Sequence, residues 1–119
     1  KNVFEIYPDA FAGCTALTSV TMKKVQNISF SAFTGCISLK KITIPKTVKE
    51  IGNEAFDGCT SLSAITIQSA TPTLLNAVGA DAFDDISVNA YIKIQARPAD
   101  KETIKTLLTE AGVDPTRIK

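Results

Sequence analysis

Val48-Lys49-Glu50-Ile51-Gly52-Asn53-Glu54-Ala55-Phe56-Asp57-Gly58-Cys59-Thr60-Ser61-Leu62-Ser63-Ala64-Ile65-Thr66-Ile67 is the stretch that decides the fold, because the chain writes it more than once. Its centre, Ala-Phe-x-Gly-Cys, runs from Ala10 to Cys14, from Ala32 to Cys36 and from Ala55 to Cys59, and Ala82-Phe83-Asp84-Asp85-Ile86 is a worn fourth copy. Ala10 to Ala32 is 22 residues, Ala32 to Ala55 is 23 and Ala55 to Ala82 is 27. An apolar pair with a separation of three leads into each copy: Val3/Ile6, Val25/Ile28, Val48/Ile51 and Leu75/Val78. Downstream comes Leu-x-x-Ile-x-Ile, as Leu17/Val20/Met22, Leu39/Ile42/Ile44 and Leu62/Ile65/Ile67. The fourth copy keeps Ile92 and Ile94 in register but has Asn89 in the leucine place, where a one-residue slip would bring Val88.

A unit of about 23 residues cannot enclose its own apolar side, so the copies must stack, each on its neighbours, into a repeat solenoid. The alternating ending, as in Ile42-Thr43-Ile44, predicts a short strand with one buried face, and equivalent strands would form one parallel sheet. Ala-Phe-x-Gly-Cys is too short for a full helix and contains glycine, which predicts short helical or 3₁₀ turns. Asp9, Ser31 and Asp81 precede three of the alanines, in the place of an N-cap; Glu54 holds it in the other copy, where Asn53 is the better cap. Phe11, Phe33, Phe56 and Phe83 are then expected to form one buried column.

Composition narrows the function. In 119 residues, 45% hydrophobic, one core can form without disulfides or metal. Thirteen basic against twelve acidic side chains leave a formal charge of +1, which gives no field to draw in nucleic acid or anionic lipid. No apolar run approaches the ~20 residues of a membrane-spanning helix. There is no histidine, and no phosphate-loop, dinucleotide or Cys-x-x-Cys motif, so the expectation is a non-catalytic protein without cofactor or metal. Cys14, Cys36 and Cys59 occupy one repeat position, which Ile86 fills in the fourth copy. They are read as free, buried, structural thiols; metal ligation or disulfide pairing is the competing reading. Asp81, Asp84 and Asp85 lack the ligand number and spacing of a calcium loop.

The full pattern Val-x-x-Ile-Gly-x-x-Ala-Phe-x-Gly-Cys-x-x-Leu-x-x-Ile-x-Ile, preceded by Ile42-Thr43-Ile44-Pro45, resembles the BspA-like, or Treponema pallidum-type, leucine-rich-repeat family over roughly residues 3 to 94. The resemblance implies a right-handed leucine-rich-repeat coil. It also implies an origin among secreted or surface-anchored bacterial proteins, several of which act as adhesins, and hence an extracellular or cell-surface location.

Beyond Ile94 the pattern changes. Pro98-Ala99-Asp100 starts a helix on which Ile104, Leu107, Leu108 and Ala111 fall at helical spacing, with Gly112 as its stop. This divides the chain into a solenoid, 1–98, of about four copies with the first incomplete, and a C-terminal capping helix and tail, 99–119. The helix is read as a lid over the last repeat, with docking of a partner as its alternative. Ser69-Ala70-Thr71-Pro72-Thr73 accounts for the longer third offset and is expected to bulge as a surface loop, with contact to a partner as the other reading. Lys1-Asn2-Val3 enters a repeat part-way, as a truncated longer protein would, so self-association through an uncovered N-terminal edge is expected.

The residues between the buried ones of each strand point outward. They predict a binding face of Ser19, Thr21 and Lys23, then Lys41 and Thr43, then Ala64, Thr66 and Gln68, then Tyr91, Lys93 and Gln95. Lys23, Lys24, Lys40, Lys41, Lys46 and Lys49 concentrate in the middle copies, as a solvated face or as a match for an acidic protein or anionic glycan. Tyr91 is either strand filling or a contact residue. Lys105 and Lys119 are taken to lie away from the face, on the capping segment. The leading function is protein binding or adhesion; an architectural spacer and a weak glycan surface are the alternatives, the last disfavoured by the absence of tryptophan.

Overall fold

The computed structural model describes residues 5–69, 75 and 77–119. Val3 of the first apolar pair, the entry Lys1-Asn2-Val3 and the loop residues 70–74 lie outside them. The chain coils into a solenoid of two parallel sheets. The first has four two-residue strands, β1 (Glu5–Ile6), β2 (Asn27–Ile28), β4 (Glu50–Ile51) and β6 (Ala77–Val78), in the order β1-β2-β4-β6. The second holds β3 (Lys41–Ile44), β5 (Ala64–Gln68) and β7 (Tyr91–Gln95), in the order β3-β5-β7. The repeat offsets reappear as register: Ile6, Ile28, Ile51 and Val78 align across the first sheet, and Ile42, Ile65 and Ile92 across the second.

Sequence pattern anticipates only the second sheet. The first consists of two-residue rungs at the second member of each apolar pair, too short for alternation to be visible in the sequence. The first copy also differs from expectation, since Ser19–Met22 lies beside β3 without pairing as a strand.

The Ala-Phe-x-Gly-Cys segments are runs of turns rather than 3₁₀ helices. Alternate amides bond back within the coil, as Ala10 N–H to Tyr7 O, Ala12 to Asp9 and Cys14 to Phe11. The amides between them reach the next coil, as Asp9 to Phe30 O, Phe11 to Ala32 O and Gly13 to Thr34 O. This alternation requires left-handed residues. Gly13, Gly35 and Gly58 supply one per coil at φ 74°, 75° and 76°. The other is the residue expected to be an N-cap: Asp9, Ser31, Glu54 and Asp81 have φ 59°, 57°, 58° and 58°. An N-cap is extended and accepts through its side chain, whereas these residues are left-handed and donate their N–H to the next coil. Short polar side chains tolerate that conformation best, which explains Asp and Ser there. Asn53 caps nothing in its own coil; its Oδ1 accepts from Ala80 N–H at 2.9 Å.

Between the sheets lies one core. Phe33, Phe56, Leu39, Leu62, Cys36 and Cys59 are fully buried, and the four phenylalanine rings stack at 5.2, 5.1 and 5.3 Å within 6° of parallel. The column runs as expected, with Phe11 the most exposed at 38%. Cys14 is only half-buried, because its coil has no neighbour on one side among the described residues. The expected slip of the fourth copy runs the other way: Val88 is 84% exposed, and the buried residue is Ala90. Ser69, read as the start of the bulging loop, is buried, and its Oγ accepts from Leu75 N–H at 3.1 Å, tying the two ends of the insertion together.

The helix α1 (Pro98–Glu110) closes the coil, with Ile104 and Leu108 buried and Leu107 partly so. Proline at its start and Gly112 at φ 110° just past its end bound it. Its end substitutes for a fifth coil. Ala111 O accepts from Asp81 N–H at 3.0 Å, as Phe30, Asn53 and Ala80 accept from Asp9, Ser31 and Glu54. After a short 3₁₀ turn (Pro115–Arg117), Ile118 bridges to Ile92 in parallel and Lys119 N–H bonds Ile92 O at 2.7 Å, adding a rung beside β7.

Candidate functional site

On the second sheet, β3, β5 and β7 turn one set of side chains into the core and the other outward, with strand burial alternating residue by residue. Register converts the outward set into rows. Lys41, Ala64 and Tyr91 form one row, Thr43, Thr66 and Lys93 the next, and Gln68 and Gln95 a third, in which Gln68 Nε2 donates to Gln95 Oε1 at 3.3 Å. In the first two rows the central residue, Ala64 or Thr66, is small and half-buried between exposed flanks, so the two floor a shallow trough with Lys41 on one edge and Lys93 on the other.

Ser19 and Thr21 do not extend these rows as a strand. With Val20, Met22, Lys41, Ile42 and Thr43 they line a groove of about 440 Å³ between the first coil and β3. Lys23 is exposed on the bend that follows. Tyr91 is 42% exposed, and Lys119 Nζ stands 5.8 Å from its ring centroid, a cation–π distance. Lys119 therefore belongs beside the face and cannot serve as a remote control, contrary to the sequence reading. The signal was present in Ile118-Lys119, which repeats Ile92-Lys93, but the turn-bearing tail hides the correspondence.

The two buried thiols of the core are held in their protonated form. The Cys36 and Cys59 thiols donate to the Phe11 and Phe33 carbonyls at 3.1 Å each, and burial pushes Cys36 up and Cys59 up to about 12, so neither supplies a thiolate at neutral pH. Among the described residues no helix is long and apolar enough to cross a membrane.

A family model for the BspA type leucine rich repeat region matches residues 1–105 in six copies. The chain belongs to that family. No curated protein and no solved structure matches it. Membership is consistent with the parallel-strand coil, and BspA-type repeats of this kind are a protein-interaction architecture that is typically non-enzymatic.

Proposed function

We propose that this BspA-type coil is a non-catalytic protein-binding or adhesion module of a secreted or surface-anchored bacterial protein, and that its outward sheet face is the contact surface. The observation that carries this reading is the alignment of Lys41 with Tyr91, and of Thr43 and Thr66 with Lys93, in parallel rows on rigid strands. The trough suits an extended or gently convex acidic partner: short side chains leave room at the centre, and lysines at the edges supply complementary charge. Family proteins are generally found at bacterial surfaces or secreted, which puts host or community surface proteins among the candidate partners. A face this small binds weakly alone, so avidity from several modules supplies useful affinity.

The test is binding of the chain to immobilised acidic surface proteins by surface plasmon resonance. Lys41→Ala, Tyr91→Ala and Lys93→Ala are combined and compared with Lys49→Ala and Lys105→Ala, which lie off the face. Loss confined to the first set supports the face; loss confined to the second moves the site to the helix or the opposite side, and no binding by the unmodified chain favours the spacer reading. Self-association through the first coil is a separate proposal, read by sedimentation velocity across a concentration series.

A further inference from the structure

The backbone ladder that joins the turn segments ends abruptly at the fourth coil. In the first three coils the Phe11, Phe33 and Phe56 amides donate to Ala32, Ala55 and Ala82 O at 2.8, 2.8 and 2.7 Å. Two residues on, the Gly13, Gly35 and Gly58 amides donate to Thr34, Asp57 and Asp84 O at 2.7, 2.9 and 3.1 Å. The equivalent amides of the fourth coil belong to Phe83 and Asp85, and among the described residues neither has a backbone acceptor. Ala111 completes only the ladder that begins at Asp81. Phe83 and Asp85 both line a cavity of about 280 Å³, with Ile86, Ala90, Ile92 and Val113 among the rest of its apolar lining. The cavity lies where the small side chain of Ala90 replaces the leucine of earlier coils.

We propose that this open end is a second docking site, which takes a turn-forming peptide segment carrying an apolar side chain between basic residues. The occupant would copy the coil's own geometry. A following coil would offer the carbonyls of residues i and i+2 to the two amides, and the side chain of i+1 to the core, as Ala32, Phe33 and Thr34 do for Phe11 and Gly13. A partner backbone in that register, turned as the coil's own segments are, makes the same two bonds. The volume accommodates one large side chain rather than a drug-sized ligand.

Charge selects the flanks. Asp84, Asp85 and Asp114 are on the lining against the single Arg117, whose Nη1 already donates to Ser87 O at 2.9 Å. The neighbouring Asp57 carboxyl is held above its ordinary range by burial and then by Asp84, Glu54, Asp85 and Asp81, a sign of how negative this end of the coil is. The site is thus opposite in preference to the lysine-edged sheet face and independent of it.

The experiment is amide-resolved NMR on the isotope-labelled chain titrated with acetyl-Lys-Ala-Phe-Lys-Gly-amide, with acetyl-Glu-Ala-Phe-Glu-Gly-amide as the charge control. In the free protein the Phe83 and Asp85 amides should exchange far faster than those of Phe56 and Gly58. The lysine peptide should shift and protect them, together with Gly112 and Val113, while Lys93 and Thr66 stay unmoved. Asp84→Asn, a change to an exposed side chain that leaves the residue's backbone bonds in place, should weaken binding about two- to fivefold. Ala90→Leu, which fills the cavity, should abolish it. Slow exchange of Phe83 and Asp85 in the free protein would overturn the proposal. So would equal binding of the glutamate peptide, or shifts confined to the sheet face. Shifts of these amides with protein concentration alone would replace the peptide by a second copy.

Discussion

Each phenylalanine serves a single residue slot read four times, and the rings show how the slot is filled: stacked nearly parallel, at distances typical of aromatic pairs. Phe33→Ala or Phe56→Ala should therefore cost about 3–5 kcal/mol in denaturant unfolding, as other large-to-small core changes do. Phe11→Ala should cost less, because that ring is already 38% exposed. The cysteine slot proves less apolar than the sequence suggested. Its thiol hydrogen serves the preceding phenylalanine carbonyl, a bond that Ile86 cannot make. Thiol titration of the native protein should label Cys14 first, with Cys36 and Cys59 following only on unfolding. The pH dependence follows from Cys59, whose folded value of about 12 lies above the ordinary 9.0. The folded state holds the proton more tightly, so this contribution to stability is complete below about pH 9 and declines as pH rises toward 12. Unfolding midpoints measured from pH 7 to 11 should fall on the alkaline side, and Cys59→Ala should flatten that part of the curve.

At the scale of the element, two glycines show different constraints in one turn run. Gly58 sits at φ 76°, so a side chain there is strained even though no atom blocks it closer than 3.6 Å. Gly52 lies outside the left-handed region, but a Cβ on it would lie 2.5 Å from the Phe30 nitrogen and 2.7 Å from the Ser29 carbonyl carbon. Gly58→Ala should cost about 1–2 kcal/mol from left-handed strain alone. Gly52→Ala should cost more, because the obstruction is backbone and the first sheet must open to relieve it. Thermal unfolding of the two variants checks the order, and equal losses would refute the close-approach argument. The helix was legible from Pro98 to Gly112 because its start, stop and apolar spacing are local signals. The N-cap expected before each alanine is a left-handed residue instead, because Asp and Ser favour both N-caps and left-handed positions, and the choice rests on where each N–H finds its acceptor.

For the whole molecule, stability is distributed between neighbours, since each coil contacts only the ones beside it. The C-terminal segment covers part of both edges, with Ala111 meeting the Asp81 rung of the turn ladder and Ile118 beside β7. Ending the chain at Arg97 would uncover β7 and the surface now under Ile104 and Leu108. Such a variant should melt at lower temperature and associate as its concentration rises, because an open parallel edge with apolar side chains pairs readily. Sedimentation velocity and calorimetry on the two lengths measure this, and an unchanged melting temperature with a monomeric profile would show that the helix does not seal the coil.

The repeat alone determined the architecture, the register of the buried isoleucines and the phenylalanine column, since a copied apolar pattern can be satisfied only by stacking copies on one another. It also placed Lys41, Thr43, Thr66, Tyr91, Lys93 and the glutamines on one side, because alternation in a strand is a two-residue rule that needs no knowledge of the rest. Tertiary structure decided what depends on residues distant in sequence. It left Ser19–Met22 unpaired beside β3, brought Lys119 onto Tyr91, buried Ala90 in place of Val88 and left Phe83 and Asp85 without backbone acceptors at the coil's end. Each of these turns on which backbone group meets which across coils, and hydrogen-bond pairing over more than twenty residues leaves no mark on the local pattern of side chains.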